Sequence, residues 1–206
     1  MNLFITNIYR DPLYFFAVII AVGFSVCVHE FCHAWVAKKC GDNTAADAGH
    51  LTLNPLKQMG IISIIMLLIL GFCWGAVPVN PHILSKRQRI AVSLAGPVAN
   101  LGLFVCGVIA FLIAVKLNLD LALAFILIFT QLNLVLFGIN IAPVPGFDGG
   151  SIVAELLPMH KIYSSEVGKG IMIGMILLLF YSVDYIFLWS NKITFAVLDF
   201  CWSIIA

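Results

Sequence analysis

Four apolar stretches in this chain, about residues 13–37, 90–116, 119–142 and 168–189, reach the roughly 20 residues that a helix needs to cross a bilayer. A fifth, about 60–76, is marginal in length and interrupted by Gly71 and Gly75. Only 10% of residues are charged and 62% are hydrophobic, whereas a soluble domain carries about 25% charged residues. These runs predict an all-α polytopic membrane protein, read as one unit over 1–206 with no further soluble domain. The net charge of +1 offers no basic patch for nucleic acid. No small-residue cleavage site precedes His29, so the first stretch reads as a retained helix rather than a signal peptide. Cys27, Cys32, Cys40, Cys73, Cys106 and Cys201 form no CxxC pair and read as buried small residues, not a disulfide or zinc framework.

Inside the first apolar run stands His29-Glu30-Phe31-Cys32-His33. On a helix, positions four apart differ by about 40° and about 6 Å, so both imidazoles of an HExxH face one point. Glu30 then lies beside the metal, placed to take a proton from its water. A pair of core histidines is the plainer reading. It leaves the adjacent glutamate unpaired or neutral in lipid, where ionisable groups mark function. The expectation is one zinc ion per chain.

Two histidines leave a catalytic zinc one protein ligand short. Asp47, His50, Asp148, Glu155 and Asp184 are the candidates. Asp148 fits best, because it follows Pro143-Val144-Pro145-Gly146 and precedes Gly149-Gly150, where the chain can turn sharply and aim the carboxylate inward. By itself it could equally cap a short helix beginning near Gly149. Glu155 as third ligand describes a membrane zincin acting on soluble or lipidated peptides. A non-catalytic membrane metal-binding protein is the other alternative, against which Glu30 argues. His50 reads as a loop residue, and His82 and His160 as solvated. Asn100 and Asn140 could each make a helix-packing hydrogen bond or pair the backbone of a peptide entering the membrane.

For Asp148 to meet the histidines, the loop after the 119–142 run must lie on the same side as His33. The runs 90–116 and 119–142 make one round trip, so the stretch 60–76 must dip in and return as a re-entrant element. Lys38, Lys39, Lys57, Lys86, Arg87, Arg89, Lys161 and Lys169 then share one side, leaving Arg10, Lys116 and Lys192 on the other. The positive-inside rule makes the first side cytoplasmic, with the site opening towards it.

The HExxH of His29–His33, Ala95-Gly96-Pro97-Val98-Ala99-Asn100, and Asn140 through Phe147-Asp148-Gly149-Gly150 together resemble the site-2 protease family of intramembrane zinc metalloproteases. Leu53-Asn54-Pro55-Leu56-Lys57 and Trp74-Gly75-Ala76-Val77-Pro78-Val79-Asn80-Pro81 look like the small prokaryotic branch without PDZ or CBS domains. The resemblance covers about residues 20 to 160. It implies a site-2 protease-like helix bundle, zinc held by His29, His33 and Asp148, Glu30 as catalytic base, and a membrane-protein or peptide substrate. Asn140 matches a position that binds substrate backbone, and Asn100 an asparagine near the active site. Phe147 stands where leucine is more usual, and the helix that precedes the HExxH helix in some relatives is expected to be missing, which bears on gating and oligomeric state.

Overall fold

The structure, a computed structural model, describes residues 3–157 and 166–205; His160 and Lys161 lie outside the described residues. Helix α1, Pro12–Lys39, begins where sequence chemistry asks for a start. Pro12 needs no N–H in the first turn, and the Asp11 carboxylate accepts the Tyr14 N–H at 3.0 Å. Lys38 and Lys39 occupy its last turn, against the carbonyl end of the helix dipole.

The marginal stretch forms α2, Gly60–Leu70, of 11 residues. At 1.5 Å per residue this rises about 16 Å, roughly half of a bilayer core. Gly71, at φ +73°, takes the left-handed conformation that stops it. The chain then runs without helix to Asn80. The Ser63 hydroxyl donates to the Trp74 carbonyl at 2.6 Å and accepts the Trp74 N–H at 2.8 Å. The Ala76 N–H donates to the Gln58 carbonyl at 3.1 Å. Asp42, just beyond the end of α1, accepts the Asn80 N–H at 2.7 Å and the Thr44 N–H at 2.9 Å. Burial raises the Asp42 pKa, but the hydrogen bonds from Thr44 and Asn80 outweigh it and hold the carboxyl below its ordinary value.

Helix α3, Lys86–Lys116, opens with a reciprocal cap. The Ser85 hydroxyl accepts the Gln88 N–H and Gln88 Oε1 accepts the Ser85 N–H. Gln88 also donates to the Cys40 carbonyl at 3.2 Å, tying the start of α3 to the end of α1. After Leu117–Leu119 the chain reverses into α4, Asp120–Ile141. α3 packs most extensively on α4 and next on α1. The approach of α3 to α4 is close at Gly107, where a Cβ would overlap the Thr130 hydroxyl. Short α5, Asp148–Leu156, returns to α3, and α6, Glu166–Ile205, completes the chain.

Among the described residues all regular structure is helical, and four helices are long and apolar enough to cross a membrane. The core lies between α1, α2 and α4, where Val18, Val22, Val26 and Leu67 meet Leu132 and Leu136. Large side chains such as Phe16, Ile109, Leu121 and Leu177 remain exposed on the outside, as the lipid-facing surface of a multi-pass membrane protein must.

Two expectations change. The apolar run 168–189 does not end there but belongs to one 40-residue helix that continues through Asp199 to Ile205, about 60 Å long; isolated charges do not break a helix that lacks proline. Cys106 is exposed rather than buried, while Cys27 is buried, and all six cysteines are free.

Candidate metal centre

One helical turn separates His29 and His33, and their Nε2 atoms lie 3.0 Å apart, both rings buried. Asp148 reaches them from the start of α5, with Oδ2 3.1 Å from His29 Nε2 and Oδ1 3.3 Å from His33 Nε2. The other ring nitrogens point away. His33 Nδ1 lies 2.7 Å from the Val92 carbonyl, which can only accept, so Nδ1 carries a proton and in the neutral ring Nε2 keeps the lone pair. His29 Nδ1 lies 2.7 Å from Asn100 Oδ1.

With both rings neutral, two imidazole lone pairs and a carboxylate face one another. Such a set is repulsive unless a cation fills it. Tetrahedral zinc with ligands at about 2.05 Å separates them by roughly 3.3 Å, close to the 3.0, 3.1 and 3.3 Å found here. His29, His33 and Asp148 form the one group among the described residues whose ligand atoms converge in this way. The residues fit one zinc ion per chain.

Local sequence explains how α3 comes so near. A Cβ on Gly96 would overlap His33 Nε2 and the His29 ring. Pro97, one residue on, removes the N–H that would bond the Ser93 carbonyl and loosens the turn from which Val92 reaches His33. Near Asp148 the turn is made by Gly146, at φ +94°. Gly149 and Gly150 do not make that turn, contrary to the sequence reading. They are helical and serve close approach: a Cβ on either would overlap the carbonyls of Ile141 and Ala142, or of Val144. Nor is Asp148 the cap of α5. Phe147 holds that position, with no side-chain cap bond, and the Asp148 carboxylate goes to the histidines.

Glu155 is turned to another task. Arg89 grips it in a two-pronged pair, Nε to Oε1 at 2.6 Å and Nη2 to Oε2 at 2.8 Å. Arg89 also donates from Nη1 to the Pro81 and Leu84 carbonyls. The hydrogen bond from Arg89 holds the Glu155 carboxyl below its ordinary range. A carboxylate spent on a guanidinium is not a zinc ligand, which removes the Glu155 alternative. His50 is a loop residue, its Nδ1 3.2 Å from Gln58 Oε1. Asp47 stands outside the converging group, as does Asp184.

Glu30 is buried beside the centre, and among the described residues no hydrogen bond or ion pair holds its carboxylate. The backbone of Gly75 passes so close that a Cβ there would overlap it. A cavity of about 1350 Å³ opens over these groups, walled by Trp74, Val77, Asn140, Phe147 and Phe187 among others. The Asn140 amide donates to the Leu136 carbonyl of its own helix at 3.0 Å. Asn100 is wholly buried, and its Nδ2 donates to Asn133 Oδ1 at 3.1 Å.

Sequence reasoning gave no role at the site to Gly96, Gly75 or Asn133, and used Arg89 only to orient the chain in the membrane. A signal existed for Gly96: glycine inside a helix costs about 1 kcal/mol against alanine and implies a packing reason.

An HExxH on a membrane-length helix, completed by an aspartate from a distant one, defines a membrane-embedded zinc metalloprotease. The model of peptidase family M50 matches residues 17–121. YwhC of Bacillus subtilis (strain 168), named as a zinc metalloprotease, is 39% identical over 152 residues, covering 68% of this chain and 69% of that protein. Rip2 of Mycolicibacterium smegmatis, named likewise, is 37% identical over 163 residues, or 70% of this chain and 59% of its own length. The regulator of sigma-E protease RseP of Salmonella typhimurium is 35% identical over 99 residues, 41% of this chain and 22% of that one. No solved structure matches the chain. The chain belongs to peptidase family M50, the site-2 proteases, and is an intramembrane zinc metalloprotease.

Proposed function

We propose that this protease cleaves peptide bonds in or near the transmembrane segments of membrane proteins, from a centre that opens towards the cytoplasm. The convergence of His29, His33 and Asp148 beside the uncommitted Glu30, under one cavity among membrane-length helices, carries this reading. Zinc, when bound, supplies Lewis acidity for amide hydrolysis. Glu30 takes a proton from the attacking water and returns it to the leaving amine. Burial among apolar walls keeps bulk water from competing for the carboxylate.

A substrate helix must unwind to expose a carbonyl. The non-helical wall from Phe72 to Val79 offers peptide groups to such an unwound stretch. Asn140, on the cavity wall, is assigned to substrate backbone. Asn100, committed to His29 and Asn133, is assigned to the metal ligand instead.

Re-entry of the 60–76 stretch is supported by the brevity of α2 and by the Asp42–Asn80 bond, which returns the chain to the end of α1. The excess of lysine and arginine at that end favours the cytoplasmic side. Residues 1–206 are read as one catalytic unit. To test the function, membrane proteomes would be compared between cells expressing the wild type and Glu30→Gln. Membrane-protein fragments present only with the wild type are expected; identical proteomes would count against intramembrane cleavage.

A further inference from the structure

Behind His29 runs a chain of buried carboxamides whose far member, Asn133, the proteolytic reading does not use. His29 Nδ1 meets Asn100 Oδ1 at 2.7 Å, Asn100 Nδ2 meets Asn133 Oδ1 at 3.1 Å, and Asn133 Nδ2 meets the Phe129 carbonyl at 2.9 Å. Both asparagines are wholly buried. The chain crosses three helices, from α1 through α3 to α4.

Its direction is fixed from the far end. A backbone carbonyl only accepts, so Asn133 must turn its NH2 to Phe129 and its oxygen to Asn100. Asn100 must then present its NH2 to Asn133 and its oxygen to His29. An oxygen facing His29 Nδ1 demands a proton on Nδ1, which leaves the lone pair on Nε2. That is the tautomer able to bind zinc, and not the one a free imidazole prefers. His33 obtains the same tautomer in one step from Val92.

We propose that Asn133, anchored on the Phe129 carbonyl and acting through Asn100, is a positioning residue that sets the tautomer and ring orientation of His29. The proposal rests on the reading of His29 as a zinc ligand. Without Asn133, the Asn100 amide has no fixed polarity and can flip, presenting its NH2 to His29. Nδ1 then accepts, Nε2 becomes protonated, and the ring no longer offers a lone pair to the metal. A partner behind a ligating histidine is worth about 10- to 100-fold in metal affinity, so loss of Asn133 should weaken zinc about 10-fold.

The test uses full-length protein in detergent, with nitrogen-15-labelled histidine. At about pH 8, above the ordinary imidazole range, the zinc-free wild type should show His29, assigned by its loss in His29→Gln, protonated on Nδ1. In Asn133→Leu, His29 should shift towards the Nε2–H form, while His33 should keep Nδ1–H because its partner is Val92. Chelator competition should show zinc bound about 10-fold more weakly. Asn100→Leu combined with Asn133→Leu should bind no more weakly than Asn100→Leu alone, since the chain acts only through Asn100. If Asn133→Leu disturbs His33 as well, the smaller Asn133→Ala decides by the same readouts. Unchanged His29 tautomer and zinc affinity within two-fold of wild type would overturn the proposal. A wild type that binds no zinc, or binds it unchanged in His29→Gln, would instead overturn the ligand assignment on which it rests.

Discussion

Adding one methyl group at Gly96 should weaken zinc binding at the centre by roughly 30-fold or more while leaving the fold intact. In Gly96→Ala the new carbon would overlap His33 Nε2, His29 Nε2 and His29 Cε1. Ordinary contact needs about 3.5 Å, so helix and rings must separate by about 1 Å. Zinc distances tolerate only about 0.2 Å. The rings cannot simply retreat, because their other nitrogens are held by Asn100 and Val92. Breaking both bonds costs about 2 kcal/mol, which corresponds to roughly 30-fold in affinity; misplacing the ligands adds to that. The helix itself gains about 1 kcal/mol when alanine replaces glycine, so the metal-free melting temperature should stay within a few degrees of wild type. Gly102→Ala on the same helix is the control, since a Cβ there meets nothing within 4 Å. Zinc content and chelator competition on detergent-purified protein read the outcome. If Gly96→Ala holds zinc as tightly as the wild type, the close approach of α3 is not what shapes this centre.

The remaining predictions concern the other parts of the site. Glu30→Gln should abolish peptide cleavage and keep zinc near the wild-type ratio, because this carboxylate moves protons and is not a ligand; residual peptidase activity would remove it from that role. Asp148→Asn should lose both zinc and activity, whereas Glu155→Gln should keep zinc; metal analysis of the two variants distinguishes them. The Arg89–Glu155 pair depresses the Glu155 pKa below its ordinary 4.5. Its contribution to stability is thus present in full above that value and lost as pH falls through the lower folded-state value. The melting difference between wild type and Glu155→Gln should accordingly shrink in acid and be constant at neutral pH. Cysteines placed at Asn54 and Ser85 in a cysteine-free background should be labelled from the same face by an impermeant thiol reagent; labelling from opposite faces would make α2 part of a full crossing.

Much of the site was legible because its spacing is local. His29 and His33 share a helix face by helical geometry alone, and Glu30 follows as their neighbour. Asp148 was legible through its proline and glycine surroundings, although those glycines turned out to permit contact rather than to make the bend. Asn133 was not legible. A single asparagine in an apolar helix looks the same whether it bonds its own helix, a neighbouring helix or a metal ligand. Glu155 was ambiguous for the same reason, until Arg89 was found 66 residues away in sequence and 2.6 Å away in space.

Hydrophobic run length and i, i+4 spacing are properties of a single segment, so the presence of the four long helices, their capacity to span a membrane and the pair of histidines were readable from local sequence. The tertiary structure alone decided which carboxylate completes the centre, which nitrogen of each ring faces it, and that α3 approaches through Gly96. Those depend on distances between segments far apart in the chain, where one methyl group or one reversed amide separates a metal site from a packed core.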